Sequence, residues 1–473
     1  MSCSVLVKAN QMETETETET EWPSYLDEYQ KLVIRMNTPR VVVDNAASSS
    51  ATLVKVDSAR NHAFLLDTVQ VLTDLNLSVV KAYITSDGAY SMDVFHVTDQ
   101  HGRKLTDSDA ISHIQQSLQS PIRPSEGCRY HRGQGPTALE LTGPDRPGLL
   151  SEVFAVLSDL DCAVTEARVW THNGRAASIV SVDCIGAAAG PGKVESTLAH
   201  LLRGSAVLSS ASCHPDRRLH QMMFLDRDYQ RCCREEAAPP PAPAVSVSVQ
   251  NLVERGYSVV NVSCRNRPKL LFDVLCTLTD MEYAVFHGTV DTDDAAAGGT
   301  ARLEFYVRHS DGTPIGSEAE RQRVILCLRA AVERRSYGGV TLELTAAAGD
   351  GDGDDDRPVL LTEVTRTLRE NGLSVARADL TTSTRPSVFH VTDAAGHVPD
   401  AATVDSVRRR IGPSFLRVKD ETVRTSLSES PSVGDGEDSE KDKNRGGSLG
   451  FLHLGGVVLR NLYNFGFLIK SCS

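Results

Sequence analysis

The residues best suited to chemistry in this chain lie in a short turn that recurs along it: Asp145-Arg146-Pro147-Gly148-Leu149, then Asn266-Arg267-Pro268-Lys269, Asp356-Arg357-Pro358-Val359, and at the first position Arg60-Asn61-His62-Ala63. Each follows an alternating apolar stretch and precedes a helical apolar stripe. Read as the first helical residue, Pro gives up only an N–H that would be unpaired anyway. The N–H groups after it point out along the positive end of the helix dipole, where a carboxylate can be received. Gly148 would let a ligand approach the backbone closely, and Asp145 is placed to cap the helix or to meet an ammonium group. The candidate ligand-binding residues are therefore Asp145, Arg146, Pro147, Gly148, Leu149, Asn266, Arg267 and Pro268. The same spacing is also an ordinary helix start, so cap and site both remain open on the residues alone.

Other constellations are incomplete, and none marks a catalytic residue, a metal ligand set or a cofactor. Asp350 to Asp355 begins like a calcium loop but has Asp355 where Gly is needed and Leu361 where the bidentate Glu belongs. Gly186 to Lys193 has Ala187 in place of the first Gly of a phosphate loop and Val194 in place of its Ser or Thr. His96 and His390 occupy matching strand positions and read as sheet histidines. The neighbouring Cys232 and Cys233 have no further ligands near them and read as plain thiols.

The elements that must position the turns come in repeats. Val94-Phe95-His96-Val97-Thr98-Asp99 recurs without change as Val388-Phe389-His390-Val391-Thr392-Asp393. Four segments each open on a strand with one inward face: Val54 and Val56, Leu139 and Leu141, Val260 and Val262, Leu342 and Leu344. A helical stripe follows, as in Leu149, Leu150, Val153, Phe154 and Leu157, matched by Leu270, Leu271, Val274, Leu275 and Leu278. Each helix closes at Asn76, Asp161, Glu282 or Gly372, a hairpin follows, and in most copies a second helical stretch comes after it. Closing strands are expected at 415–418 and 206–208 and are weaker elsewhere. The sum is βαββαβ, an α+β fold with helices on one face of an antiparallel sheet. Unpaired sheet edges predict that the repeats pair with one another within the chain.

Low-complexity joints give the domain limits: an N-terminal segment at 1–36, repeats at 51–119, 137–209, 258–336 and 340–420, a linker at 213–256, and a tail at 421–473. The net charge of −13 excludes a generic basic surface for nucleic acid. The eleven scattered cysteines contain no C-x-x-C pair, which predicts free thiols in a reducing, intracellular compartment. The apolar stretch from Leu449 to Ile469 reaches spanning length but carries Arg460 near its middle, which favours a docking tail over a membrane span.

The Asp-Arg-Pro-Gly-Leu-Leu turn inside a βαββαβ repeat resembles the ACT domain, a ferredoxin-like regulatory module. Together with the segment from Arg217 to Tyr229, the opening Pro39-Arg40-Val41 to Asp44-Asn45 and the tail Tyr463-Asn464-Phe465-Gly466, the four repeats resemble the plant ACT-domain-repeat (ACR) family over roughly residues 22 to 470. The resemblance implies a non-enzymatic protein that senses or signals amino-acid status; the chain is expected in the cytoplasm and/or nucleus. Its free amino acid effector would be held at the strand-to-helix turn against the sheet edge of a neighbouring repeat. Only the second repeat keeps the whole turn, since Lys269, Val359 and Ala63 replace its Gly. The alternative is an interaction scaffold whose repeats pair with other proteins and bind no small ligand.

Overall fold

The structure, a computed structural model, describes residues 39–58, 63–86, 90–119, 137–183, 190–210, 214–231, 245–293, 299–336, 338–345, 357–382 and 385–419. All of these belong to the compact unit Met1–Glu421. The first repeat contains β1 (Arg40–Asp44), β2 (Thr52–Ser58), α1 (Ala63–Asp74), β3 (Ser78–Ser86), β4 (Ser91–Thr98) and α2 (Ser108–Gln119). The second contains β5 (Thr137–Pro144), α3 (Leu149–Asp159), β6 (Ala163–His172), β7 (Arg175–Asp183), α4 (Pro191–Leu202) and β8 (Ser205–Ser210). A connecting helix, α5 (Pro215–Leu225), leads to the third: β9 (Ser246–Leu252), β10 (Tyr257–Arg265), α6 (Leu270–Asp280), β11 (Tyr283–Thr292), β12 (Thr300–His309) and α7 (Glu318–Glu333). The fourth contains β13 (Val340–Leu344), α8 (Arg357–Glu370), β14 (Leu373–Thr381), β15 (Ser387–Asp393), α9 (Ala401–Ile411) and β16 (Leu416–Lys419).

The alternation read from the sequence is realised. In β2, Val54 and Val56 are buried against the helices while Lys55 and Asp57 are exposed. The four closing residues all take the left-handed conformation, with φ of 55° at Asn76, 54° at Asp161, 63° at Glu282 and 71° at Gly372. Each repeat also carries a register shift at the same place in the strand that follows its first helix: between Val79 and Lys81, Val164 and Glu166, Val285 and His287, and Val375 and Arg377.

Two eight-stranded sheets result, in the orders β1-β2-β4-β3-β11-β12-β10-β9 and β16-β13-β15-β14-β6-β7-β5-β8. The first repeat thus pairs with the third through β3 and β11, and the second with the fourth through β6 and β14, all antiparallel. Each seam covers two edges that would otherwise be unpaired. At the first, Lys81 lies opposite Asp291 and forms an ion pair at 3.4 Å. Apolar burial is continuous across each seam, so a core belongs to a pair of repeats and not to a single one.

One feature departs from a uniform βαββαβ. In the second and fourth repeats the outer strand follows the second helix, as β8 and β16. In the first and third it comes from upstream, as β1 beside β2 and β9 beside β10. The strand β9 therefore lies inside the 213–256 stretch read as linker. A hairpin turning at Gly256, with φ of 70°, brings β9 onto β10 across a very short loop, which costs little closure entropy.

The helix α5 lies on the helix-free face of the second repeat, where Leu219, Met222 and Met223 bury Trp170 and Ala177. Its other side meets the helices of the opposite sheet: His214 bonds Asp74 of α1 at 2.8 Å and His220 bonds Asp273 of α6 at 2.7 Å. It is the layer that joins the two sheets.

Candidate functional site

In the second repeat, α3 begins at Leu149 with Gly148 as its N-cap, at φ 81° and ψ 0°, and no side chain caps it. Pro147 is therefore not the first helical residue, as read from the sequence, but stands in the turn two residues before it. Asp145 does not cap the helix either. Its N–H bonds the carbonyl of Gly174 at 2.9 Å, and burial pushes its carboxyl up to about 6. Arg146 pairs with Glu152 at 2.5 Å, and the Leu149 side chain enters the core. The third repeat repeats this geometry. Lys269 is the uncapped N-cap of α6 at φ 64°, Arg267 pairs with Asp273 at 2.7 Å, and Asn266 donates to the carbonyl of Asp293 at 2.8 Å. By contrast, Ser317 caps α7 and Asp400 caps α9 through their side chains. In the fourth repeat α8 starts at Arg357, which places Pro358 inside its first turn. Residues 60–62 and 356, and the side chains of residues 357–360, lie outside the described residues.

The raised Asp145 carboxyl yields a prediction. Its folded value, about 6, lies above the ordinary carboxylate range, so the folded chain resists ionising it. The resulting destabilisation builds as pH rises from about 4 to about 6 and is complete above that. Asp145→Asn is expected to gain more stability over the parent at pH 8 than at pH 4, read from urea midpoints. Equal differences at both pH values would mean that the carboxyl is hydrated.

Both turns face a neighbouring repeat across a seam. The Gly148 turn looks onto α8 and β14, where Thr365, Leu368, Arg369 and Val375 close a cavity with about 40 Å³ of free volume. The Lys269 turn looks onto α1 and β3, where Val69, Thr73, Asn76 and Val79 line a cavity of about 460 Å³. Seven of the eight candidate residues thus line seam cavities, in two groups: Asp145, Arg146, Gly148 and Leu149 at one, and Asn266, Arg267 and Pro268 at the other; Pro147 does not line either cavity.

Residues 47–125 match the family described as ACR family N-terminal ACT domain, residues 137–202 match ACT domain, and residues 246–336 match ACR9-like, ACT-like domain. The protein named ACT domain-containing protein ACR8 from Arabidopsis thaliana is 53% identical over 472 residues, which is 95% of this chain and 99% of that one. The chain belongs to the ACT domain-containing ACR family. ACT domain-containing protein ACR4 of the same plant is 47% identical over 413 residues, 83% of this chain and 89% of that one. A crystal structure of an aspartate kinase from Synechocystis is 11% identical and aligns with 84% of this chain and 57% of its own, at a TM-score of 0.16, too low to bear on the fold. The family match to the third ACT repeat begins at residue 246, the first residue of β9.

Between the two sheets of this ACR chain lies a cluster of buried charges that the sequence reading missed. Asp216 of α5 is fully buried and bonds Arg168, Lys269 and Arg335 at 2.8, 2.8 and 3.0 Å. Asp273 holds His220, Arg267 and Arg335. Asp228 holds Arg334 through both oxygens and His172 at 2.9 Å. Burial opposes ionisation of Asp228, but Arg334 and His172 bring its carboxyl down to about 2. His220 is completely buried, which lowers it to about 4, so it is neutral: Nε2 donates to Asp273 and Nδ1 accepts from Arg334 at 2.9 Å. The available signal was a charge, Asp273, placed between Phe272 and Val274 on the apolar stripe of α6. Lys269 is thus more than a lost glycine, because its ammonium ties the third turn to α5.

Of the remaining residues singled out in the sequence, His96 and His390 do sit in strands; His390 is bonded to Thr341 at 3.0 Å and lowered to about 4 by burial. Cys264, Cys276 and Cys327 are free and buried, but Cys162 is disulfide-bonded, contrary to the expectation of free thiols throughout. Among the described residues no group of three or more His, Cys, Asp or Glu could hold a metal ion, and no helix is long and apolar enough to cross a membrane. The acidic loop at 349–355, Cys232 with Cys233, the N-terminal segment and the apolar stretch at 449–469 lie outside the described residues.

Proposed function

We propose that this chain is a non-enzymatic regulatory protein that binds free amino acids at the seams between paired ACT repeats and so senses or signals amino-acid status. The observation that carries the reading is the pair of uncapped left-handed turns at Gly148 and Lys269, each opening a helix toward the neighbouring repeat. A carboxylate at such a helix start meets the positive end of the dipole and N–H groups without intrahelical partners. A ligand lodged there touches both members of a seam, so it favours the paired arrangement over a loosened one, and this difference in affinity is the signal.

A scaffold reading draws support from a different observation: Arg369 covers the Gly148 turn, and Lys269 is engaged by Asp216. A thermal-shift scan of the full chain against the twenty free amino acids separates the two. At a hundredfold its dissociation constant a ligand adds roughly 2.7 kcal/mol to the state it binds. A reproducible shift with one amino acid is the expected result. A flat scan at millimolar ligand would leave protein partners as the object of the repeats.

A further inference from the structure

The two seams are built from matching residues. Leu373, Ser374 and Val375 at one stand where Leu77, Ser78 and Val79 stand at the other, and Val169 and Thr171 where Val290 and Thr292 stand. On the helix just before, the match breaks: Arg369 of α8 takes the place of Thr73 of α1. A Cβ added to Gly148 would lie 2.3 Å from Cδ and 2.7 Å from Cγ of Arg369. The arginine stem therefore fills the space that the missing side chain leaves. The small residue at 148 leaves room for that stem.

The consequence is volumetric. At the Gly148 turn the cavity beside Arg369 retains about 40 Å³ of free volume, on the scale of a few waters at most, although the same seam holds about 550 Å³ at its other end, between α3, β6 and α8. The seam with Thr73 retains about 460 Å³, inside the roughly 300–1,000 Å³ of small-molecule sites. Lys269 holds the same left-handed turn there, and its ammonium bonds Asp216 at 2.8 Å. The apolar part of the wall comes from residues such as Val69, Leu77, Val79, Val290 and Leu303, neutral polar side chains such as Asn76, Gln100 and Asn266 line the rest, and the charged members are Arg267 and Lys269. Among the described residues no carboxylate lines it. Such a wall suits a carboxylate and an apolar side chain, and burying a cationic side chain in it without a partner would be costly.

We infer that the cavity at the Lys269 turn, between the third and first repeats, is the amino-acid site of this chain, that it takes an amino acid with an uncharged aliphatic side chain, and that the stem of Arg369 keeps the matching Gly148 turn shut. The inference rests on the amino-acid reading above and adds which seam and which ligand class.

Thermal unfolding and titration calorimetry of the full chain test it, with valine, leucine, isoleucine, lysine and arginine as probes. The proteins are the parent, Thr73→Arg, Gly148→Asp and Arg369→Ala. An aliphatic probe is expected to stabilise the parent and Gly148→Asp, and to lose its effect in Thr73→Arg, which copies the closed seam. Thr73 is 7% exposed, so Thr73→Gln, shorter and uncharged, is run beside it, with far-UV circular dichroism to confirm folding. Binding that survives both Thr73 variants and vanishes in Gly148→Asp would put the site at the other seam and overturn the inference, while leaving the amino-acid reading intact. Binding of the basic probes alone would overturn the ligand class. A flat response in all the proteins, Arg369→Ala with its opened Gly148 turn included, would remove the amino-acid reading and this inference with it.

Discussion

Replacing Asp273 by Ala is expected to destabilise the chain by roughly 3–5 kcal/mol, because it leaves buried cations without their counter-charge. Asp273 is fully buried on α6 and is shared by His220 at 2.7 Å, Arg267 at 2.7 Å and Arg335 at 2.9 Å. Burial by itself would raise its carboxyl, yet Arg335, Arg267 and His220 hold it well below the usual carboxylate range. The variant removes the charge that these groups surround. Arg335, only 5% exposed at its side chain, then has Asp216 alone. Urea titration gives the measurement, and a loss below about 1 kcal/mol, the level of a surface pair, would mean that water already serves the cluster.

The same groups fix a pH dependence. Asp228, brought down to about 2, contributes stability that is complete above the ordinary carboxylate value near 4 and is lost as pH falls through 2. His220, lowered to about 4, acts in a higher window: between about 6.5 and 4 the unfolded chain takes a proton that the folded chain refuses, so stability falls as the solution is acidified. Asp145 opposes this trend over part of the same window.

Replacing Trp170 by Ala is expected to cost about 3–5 kcal/mol, the usual range for emptying a buried aromatic site. Trp170 is completely buried where the layers meet. Its ring stands edge-on to His220 at 4.9 Å between centroids, with the guanidinium carbons of Arg335 and Arg377 at 4.6 and 5.6 Å from its centroid. Leu219, Met222 and Met223 of α5 pack against it. Arg377 lies opposite Trp170 across the seam in β14, so one side chain touches the second and fourth repeats, α5 and the end of α7. The cavity would loosen α5 from the second repeat. Trp170→Phe retains most of the apolar contact and is expected to cost less. Calorimetric unfolding of both variants checks the order; equal, small effects would mean that α5 is held by its charges alone.

Much of the fold was legible in the residues. Alternation at Val54 and Val56, the stripe from Leu149 to Leu157, and the polar closing residues Asn76, Asp161 and Glu282 act over a few neighbours, so local sequence contains the whole cause. The repetition of Val94 to Asp99 at Val388 to Asp393 showed that one unit recurs. The turns at Asp145 to Leu149 and Asn266 to Pro268 were legible as special for the same reason, although Pro147 and Asp145 take other roles than those read.

What the sequence determined by itself is the repeated α+β unit, its helix stripes and the positions of its turns, because periodicity and backbone preference are properties of short segments. Only the tertiary structure decided which repeats pair, since β3, β6, β11 and β14 present similar alternating edges and the same bulge, and an edge does not specify its partner. It also decided that β1 and β9 serve as outer strands, because any well-patterned strand that a short loop delivers can satisfy an open edge. The meanings of Asp273 and Arg369 were decided there too. A charge on an apolar stripe is intelligible only once Arg335 and His220 arrive from other elements, and an arginine on α8 becomes an occupant only where the seam carries it over Gly148.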